Sequence, residues 1–167
     1  MYTETYPVYH SAHYMFALAL GGWIVSETDW LIITQAAATL AMTGLIWFVQ
    51  IVHYPLMGRV GVEAFTGYED EHTRRTSWVV GPPMLIEAVT SLTIVFRPPT
   101  GVSAGEAWSG LALVAVIWIS TATLQVPLHR RLAKGFEPSA HRSLVLTNWI
   151  RVLAWSLRAA LVLYWLS

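Results

Sequence analysis

Cysteine is absent from the chain. Its absence excludes disulfides, thiolate metal ligands and cysteine nucleophiles, so any metal would have to use His, Asp, Glu or neutral oxygen and nitrogen donors. Charge is scarce: Asp, Glu, Lys and Arg make up 12% of the 167 residues, against about 25% in soluble domains. The formal net charge is zero, which gives no reason to expect a nucleic-acid partner. Met1–Tyr9 has no Lys or Arg to form the basic start of a secretory signal. There is no Gly-rich phosphate loop, no Gly-x-Ser-x-Gly elbow and no His-Glu-x-x-His zinc motif.

What remains is apolar. Hydrophobic residues make up 55% of the chain and the mean hydropathy is +0.50. Nine Trp and seven Tyr suit a protein anchored at two membrane–water interfaces. Four runs are long enough to cross about 30 Å of hydrocarbon: Leu31–Val52, Trp78–Phe96, Trp108–Gln125 and Leu144–Leu166. The expectation is an all-α integral membrane protein, with a four-helix transmembrane bundle over residues 30–167 and an N-terminal extension over 1–29. Thr28 and Asp29 are candidate caps for the first helix. Residues 8–26 read as an interfacial helix or a weak fifth span, since His10, His13 and Gly21-Gly22 lower the tendency to insert.

The loops orient the bundle. Arg59, Arg74 and Arg75 follow the first helix, and Arg130, Arg131, Lys134 and Arg142 follow the third. The opposite side has Arg97 with Glu27, Asp29 and Glu106. The positive-inside bias puts the basic loops in the cytoplasm and the chain in the inner (plasma) membrane. Between Met57 and Ser77, Val62, Phe65, Tyr68, Glu69, His72 and Thr76 recur at helical spacing, which predicts a short amphipathic cytoplasmic helix. Glu71 and Arg75 are spaced for an i,i+4 pair on its wet side. The loop Arg130–Ser143, with Gly135 and Pro138, reads as less regular.

Gln50-Ile51-Val52-His53-Tyr54-Pro55-Leu56 and Leu124-Gln125-Val126-Pro127-Leu128-His129 suggest two related hairpins, although chance would also explain so short a match.

Ionisable residues within apolar helices are costly and usually functional. Glu87, Arg151 and Arg158 are such residues. Asn148, Arg151, Trp155 and Arg158 share one helical face, opposite polar stripes of Gln35, Thr39, Thr43 and Gln50, and of Thr121 and Gln125. Glu87 is expected to pair with Arg151 or Arg158. The stripes would either fix helix register or form a polar cavity. In the second case Glu87, Asn148 and Arg151 are the candidate catalytic residues.

The histidines make a second set. Glu69 and His72 form a Glu-x-x-His pair of the kind used in carboxylate-bridged metal bundles. With His53 and His129 they are the candidate metal ligands, suited to a transition metal, iron first and haem after it. The competing reading is that interfacial histidines cap helix ends.

Gln125-Val126-Pro127-Leu128-His129, followed by Asn148-Trp149, Arg151 and Arg158, resembles the C-terminal half of the anthrone oxygenase-like family of small four-helix membrane proteins. Members carry an Asn-x-Pro-Leu-Asn type motif after the third helix, then a helix rich in Trp and Arg. Here Gln125 and His129 stand at the Asn positions. The resemblance covers about the last third of the chain. It implies a four-helix fold and oxygen-dependent oxidation of an aromatic or lipophilic substrate. The expected function is thus an oxidoreductase acting on a lipophilic small molecule at the cytoplasmic end of the bundle. The alternatives are an accessory subunit of a photosynthetic or respiratory complex, or a small transporter. Expected partners are the lipid bilayer, a lipophilic ligand and further membrane-protein subunits or copies of the chain.

Overall fold

The computed structural model describes residues 27–167, with side chains from Trp30 onward. Residues 8–26, the possible fifth span, lie outside the described residues. All regular structure in the described residues is helical. Helix α1 comprises Glu27–Phe48, a π-helical turn Val49–His53 and a last turn Tyr54–Met57; α2 is Val62–Phe96. Helix α3 comprises Ala104–Ser120, a π turn Thr121–Gln125 and Val126–Leu132; α4 is Pro138–Trp165. All four are long and apolar enough to cross a membrane. Each helix packs against its neighbours in the chain, and α4 closes the bundle against α1.

The helices run further than the apolar runs alone suggest. Thr28 and Asp29 fall inside α1 instead of capping it. The segment 62–77 is not a separate amphipathic helix, because it continues without a break into the apolar run as one helix of 35 residues. Pro82 and Pro83 lie within that helix. Their missing N–H groups leave the carbonyls of Trp78 and Val79 without their usual helical partners, yet the helix carries on. Most of the second basic segment is helical too, leaving only a short connection between Leu132 and Pro138. Gly135 in that connection and Gly101 between α2 and α3 adopt φ of +144° and +87°, where a side chain would be strained. Ser103 and Glu106 form a reciprocal capping box that starts α3.

Both odd-numbered helices carry a π turn two residues ahead of a proline, Pro55 or Pro127. A proline ring crowds the carbonyl four residues back. Here the turn widens: the Tyr54 N–H bonds Val49 O and the Val126 N–H bonds Thr121 O, each five residues away. This shared deformation adds to the likeness of the two hairpins. It also places Gln50 and Gln125 in the buried interior.

Three apolar clusters stack along the bundle. Met42, Ile46, Met84, Ile117, Val152 and Trp155 fill the middle. Tyr54, Met57, Phe65, Leu132, Ala140 and Leu144 fill the end that carries the histidines. Ile32, Ile94, Val102 and Ala107 fill the other end. The outer surface displays large apolar side chains, among them Phe48, Ile51, Val89, Ile119, Leu153 and Leu157.

Candidate functional site

The interior polar residues separate into three groups along the bundle. The deepest surrounds Glu87. Its Oε1 accepts from Thr39 Oγ1 at 2.6 Å and from Arg158 Nε at 3.0 Å, and its Oε2 accepts from Trp155 Nε1 at 2.7 Å. Arg158 also donates to Gly110 O at 2.6 Å and to Ser91 Oγ at 3.0 Å. Gln35 extends the network by donating to Thr39 and accepting from Thr90 and Ser91. Both carboxylate oxygens of Glu87 are therefore occupied, and the ion pair is almost fully buried. Glu87 pairs with Arg158, not Arg151. Through Thr39, Trp155 and Arg158, and through Arg158 to Gly110, the pair links all four helices.

The second group lies one to two turns nearer the histidines. Asn148 Nδ2 donates to Gln50 Oε1 at 2.8 Å, and Gln50 Nε2 donates to Val145 O at 3.2 Å. With its amide thus fixed, Asn148 offers Oδ1 to Arg151 Nε at 2.9 Å. Arg151 Nη1 reaches Thr121 Oγ1 at 3.3 Å, and the guanidinium lies over the Trp155 ring, 5.9 Å from its centroid. On the α3 side, Gln125 accepts from Ser120 and donates to Thr147. Asn148 is fully buried and positions Arg151.

The third group is the histidine end. His53 and His72 stack with centroids 4.3 Å apart, and His129 lies 5.5 Å from His72. His129 Nδ1 meets Glu69 Oε1 at 2.5 Å, and its Nε2 lies 3.2 Å from the Tyr54 hydroxyl. The carboxylate can only accept, so the network assigns the His129 proton to Nδ1. Nε2 is then free to accept from Tyr54. Tyr54 is 2% exposed and Glu69 is 0% exposed. The second Glu69 oxygen, Oε2, is buried and takes no hydrogen bond from the described residues. Tyr54, His129 and Glu69 thus form a continuous hydrogen-bonded chain from α1 through α3 to α2.

The four expected metal ligands are brought to one end of the bundle, where Glu69 and His129 hydrogen-bond and His53 and His72 stack. Among the described residues no three His, Asp or Glu side chains converge as a metal-binding set. Both nitrogens of His129 are engaged. His53 and His72 stack face to face, with rings 27° from parallel, so their in-plane lone pairs do not meet at one point. His72 Nδ1 lies 3.1 Å from Thr76 Oγ1. The stacked pair also leaves no slot between the rings for a haem. This arrangement does not fit either group. His141 stands apart, donating from Nε2 to Tyr54 O at 2.8 Å.

A cavity of about 420 Å³ connects the second and third groups. Its inner wall is Met42, Leu45, Ile46, Val49, Val80 and Met84, with Trp155 at the base. Tyr54, His72, His129, Thr121, Gln125 and Arg151 supply its polar lining, and the exposed Asp70 and Arg130 belong to its rim. Tyr54 is the residue that sequence reading passed over. An interfacial tyrosine is common, and only its place beside Gln50 and His53 ahead of Pro55 marks it as different.

The chain matches no protein-family model, no curated protein and no solved structure.

Proposed function

We propose that this is a multi-pass membrane enzyme, an oxidoreductase acting on a lipophilic substrate held in the cavity. One observation carries the reading: the Tyr54–His129–Glu69 chain adjoins a cavity of about 420 Å³ whose inner wall is apolar. That volume lies within the range of small-molecule sites.

Placement in a bilayer is supported by the outward apolar side chains and by Trp78 and Phe96, which are 78% and 73% exposed. The α2 segment between them spans about 27 Å at 1.5 Å per residue. With those residues at the two interfaces, the histidine end lies at one membrane surface and Met84 lies within the hydrocarbon. A substrate entering there presents its reacting hydroxyl to His129 and lays its apolar part against Leu45, Ile46, Val80 and Met84. The basic loops share the histidine end, which on the positive-inside bias is cytoplasmic.

The chemistry fits two-electron oxidation of a substrate hydroxyl by dioxygen, the co-substrate that the resemblance implies: the O–H proton leaves to the Tyr54–His129 pair, and two electrons with the second proton pass to oxygen, giving the carbonyl product and hydrogen peroxide. Tyr54 and His129 line the cavity, and Glu69 stabilises the imidazolium that forms when His129 Nε2 takes the O–H proton. A positioned acid–base group of this kind contributes about 10²–10⁴-fold. The reading as an accessory subunit rests on exposed tryptophans: an interface belt accounts for Trp30, Trp78 and Trp108, while Trp47, Trp118 and Trp149 are exposed along the helices.

The test compares lipid extracts from membranes containing the wild-type protein, Tyr54→Phe, or no protein. The account expects a lipophilic product whose amount depends on wild type and falls in the variant at equal protein level. Identical extracts from all three membranes would remove the enzyme reading.

A further inference from the structure

We infer that the cavity is built for a lipophilic carboxylate, with Arg151 as the anchor for its head group. The inference rests on the proposed cavity as a substrate site and adds the class of substrate.

The two inward-facing arginines of α4 differ in one respect, whereas Arg142 is exposed. Arg158 has its charge met by Glu87 at 3.0 Å. Arg151, seven residues earlier on the same inward face, meets neutral groups: Asn148, Thr121, the Trp155 ring and the Tyr54 hydroxyl. Among the described residues no carboxylate lies within ion-pair distance of it. Arg151 is half-buried at the cavity wall, and a guanidinium largely screened from water with no counter-charge is costly to keep. Its direct hydrogen bonds occupy two of five N–H groups.

The side chain is nevertheless held in place. Val145 O fixes Gln50, Gln50 fixes Asn148, and Asn148 fixes Arg151 Nε. Such preparation orients the remaining N–H groups before a ligand arrives. Arg151 lines the cavity, and the Tyr54 hydroxyl lies beside it.

A planar guanidinium edge matches a carboxylate with two parallel hydrogen bonds. A phosphate would also pair with arginine, but it carries more charge and water than one guanidinium in a largely apolar chamber can replace. An alcohol would leave the positive charge unmet, and an amine would be repelled. A carboxylate head at Arg151 places the adjoining carbon chain among Leu45, Ile46, Val80 and Met84, with Tyr54 and His129 on its other flank.

The experiment measures binding, not turnover. Protein in nanodiscs at about pH 8, where a carboxylic acid is ionised, is titrated with 6-bromododecanoate, 6-bromododecanol and 6-bromododecylamine, whose bromine stays near the head group. Quenching of tryptophan fluorescence reports occupancy, because Trp155 forms the base of the cavity. The expected result is saturable quenching by the carboxylate at about tenfold lower concentration than by the alcohol, and none by the amine. In Arg151→Gln the carboxylate falls to the alcohol's affinity while the alcohol is unchanged. Equal affinity for acid and alcohol in the wild type overturns the inference without any variant. Undiminished selectivity in Arg151→Gln overturns it as well. The enzyme reading is judged separately: Tyr54→Phe should keep carboxylate selectivity even where turnover is lost.

Discussion

His129 and Glu69, on different helices, share a hydrogen bond of 2.5 Å between Nδ1 and Oε1, and the carboxylate is entirely buried. Nothing else among the described residues satisfies that carboxylate, since its other oxygen has no partner. The imidazole therefore supports the fold as well as lining the cavity. Replacing it by Leu strands a buried charge, which costs about 3 kcal/mol. Tyr54→Phe removes one hydrogen bond at the chain's other end and costs about 1 kcal/mol. Thermal unfolding in detergent should rank His129→Leu well below Tyr54→Phe. An equal loss would mean that Glu69 is not held by His129.

The Glu87–Arg158 pair makes a matching prediction deeper in the bundle. Either single change, Glu87→Met or Arg158→Met, leaves an uncompensated charge inside and should cost about 3–5 kcal/mol. The double change removes both charges and should recover much of the loss. Fluorescence-detected size exclusion after graded heating reads all three. A double variant as unstable as the sum of the singles would show that the two residues act independently.

Gly58 tests the packing of the first hairpin. A Cβ built there would lie 2.8 Å from His141 Cε1. The imidazole would have to turn away and lose its bond to Tyr54 O, at about 1 kcal/mol. Gly58→Ala should lower the unfolding temperature in the wild type but have little effect in a His141→Ala background. The same loss in both backgrounds would place the clash elsewhere.

The topology can be read without removing any native thiol, because the chain has no cysteine. Arg59→Cys and Lys134→Cys lie in the two connections at the histidine end, and Thr100→Cys lies in the one at the opposite end. A membrane-impermeant maleimide should label Thr100→Cys on intact cells, and the other two only after the membrane is opened. Labelling of Arg59→Cys on intact cells would invert the assignment.

The lengths of the apolar runs and the alternation of basic and nearly uncharged connections were enough to read the four long helices of the described residues and to bring His53, His72 and His129 to one end. The pairing of Glu71 with Arg75 was also legible, because i,i+4 spacing is local. What escaped reading depended on contacts between helices. Whether Glu87 meets Arg151 or Arg158 turns on the relative height of α2 and α4, which neither helix encodes alone. Pro82 and Pro83 remove two helical N–H donors, yet a packed helix runs through them. The π turns at Val49–His53 and Thr121–Gln125 shift the face on which later residues fall, so a fixed period of 3.6 cannot place Tyr54. Glu69, His72, His53 and His129 have a composition suited to a metal, but their ring orientations come from stacking and from Tyr54.

The central claim is that Tyr54, His129 and Glu69 act as one unit on a substrate in the cavity. The most direct measurement is formation of the lipophilic product by Tyr54→Phe, Glu69→Gln and the double variant at equal amounts of folded protein. Residues that act as a unit give strongly non-additive losses. The account predicts that each single change lowers the rate by about 10²-fold or more, and that the double variant is scarcely slower than either single. Multiplying losses, or product formation at wild-type rate in both singles, would contradict it.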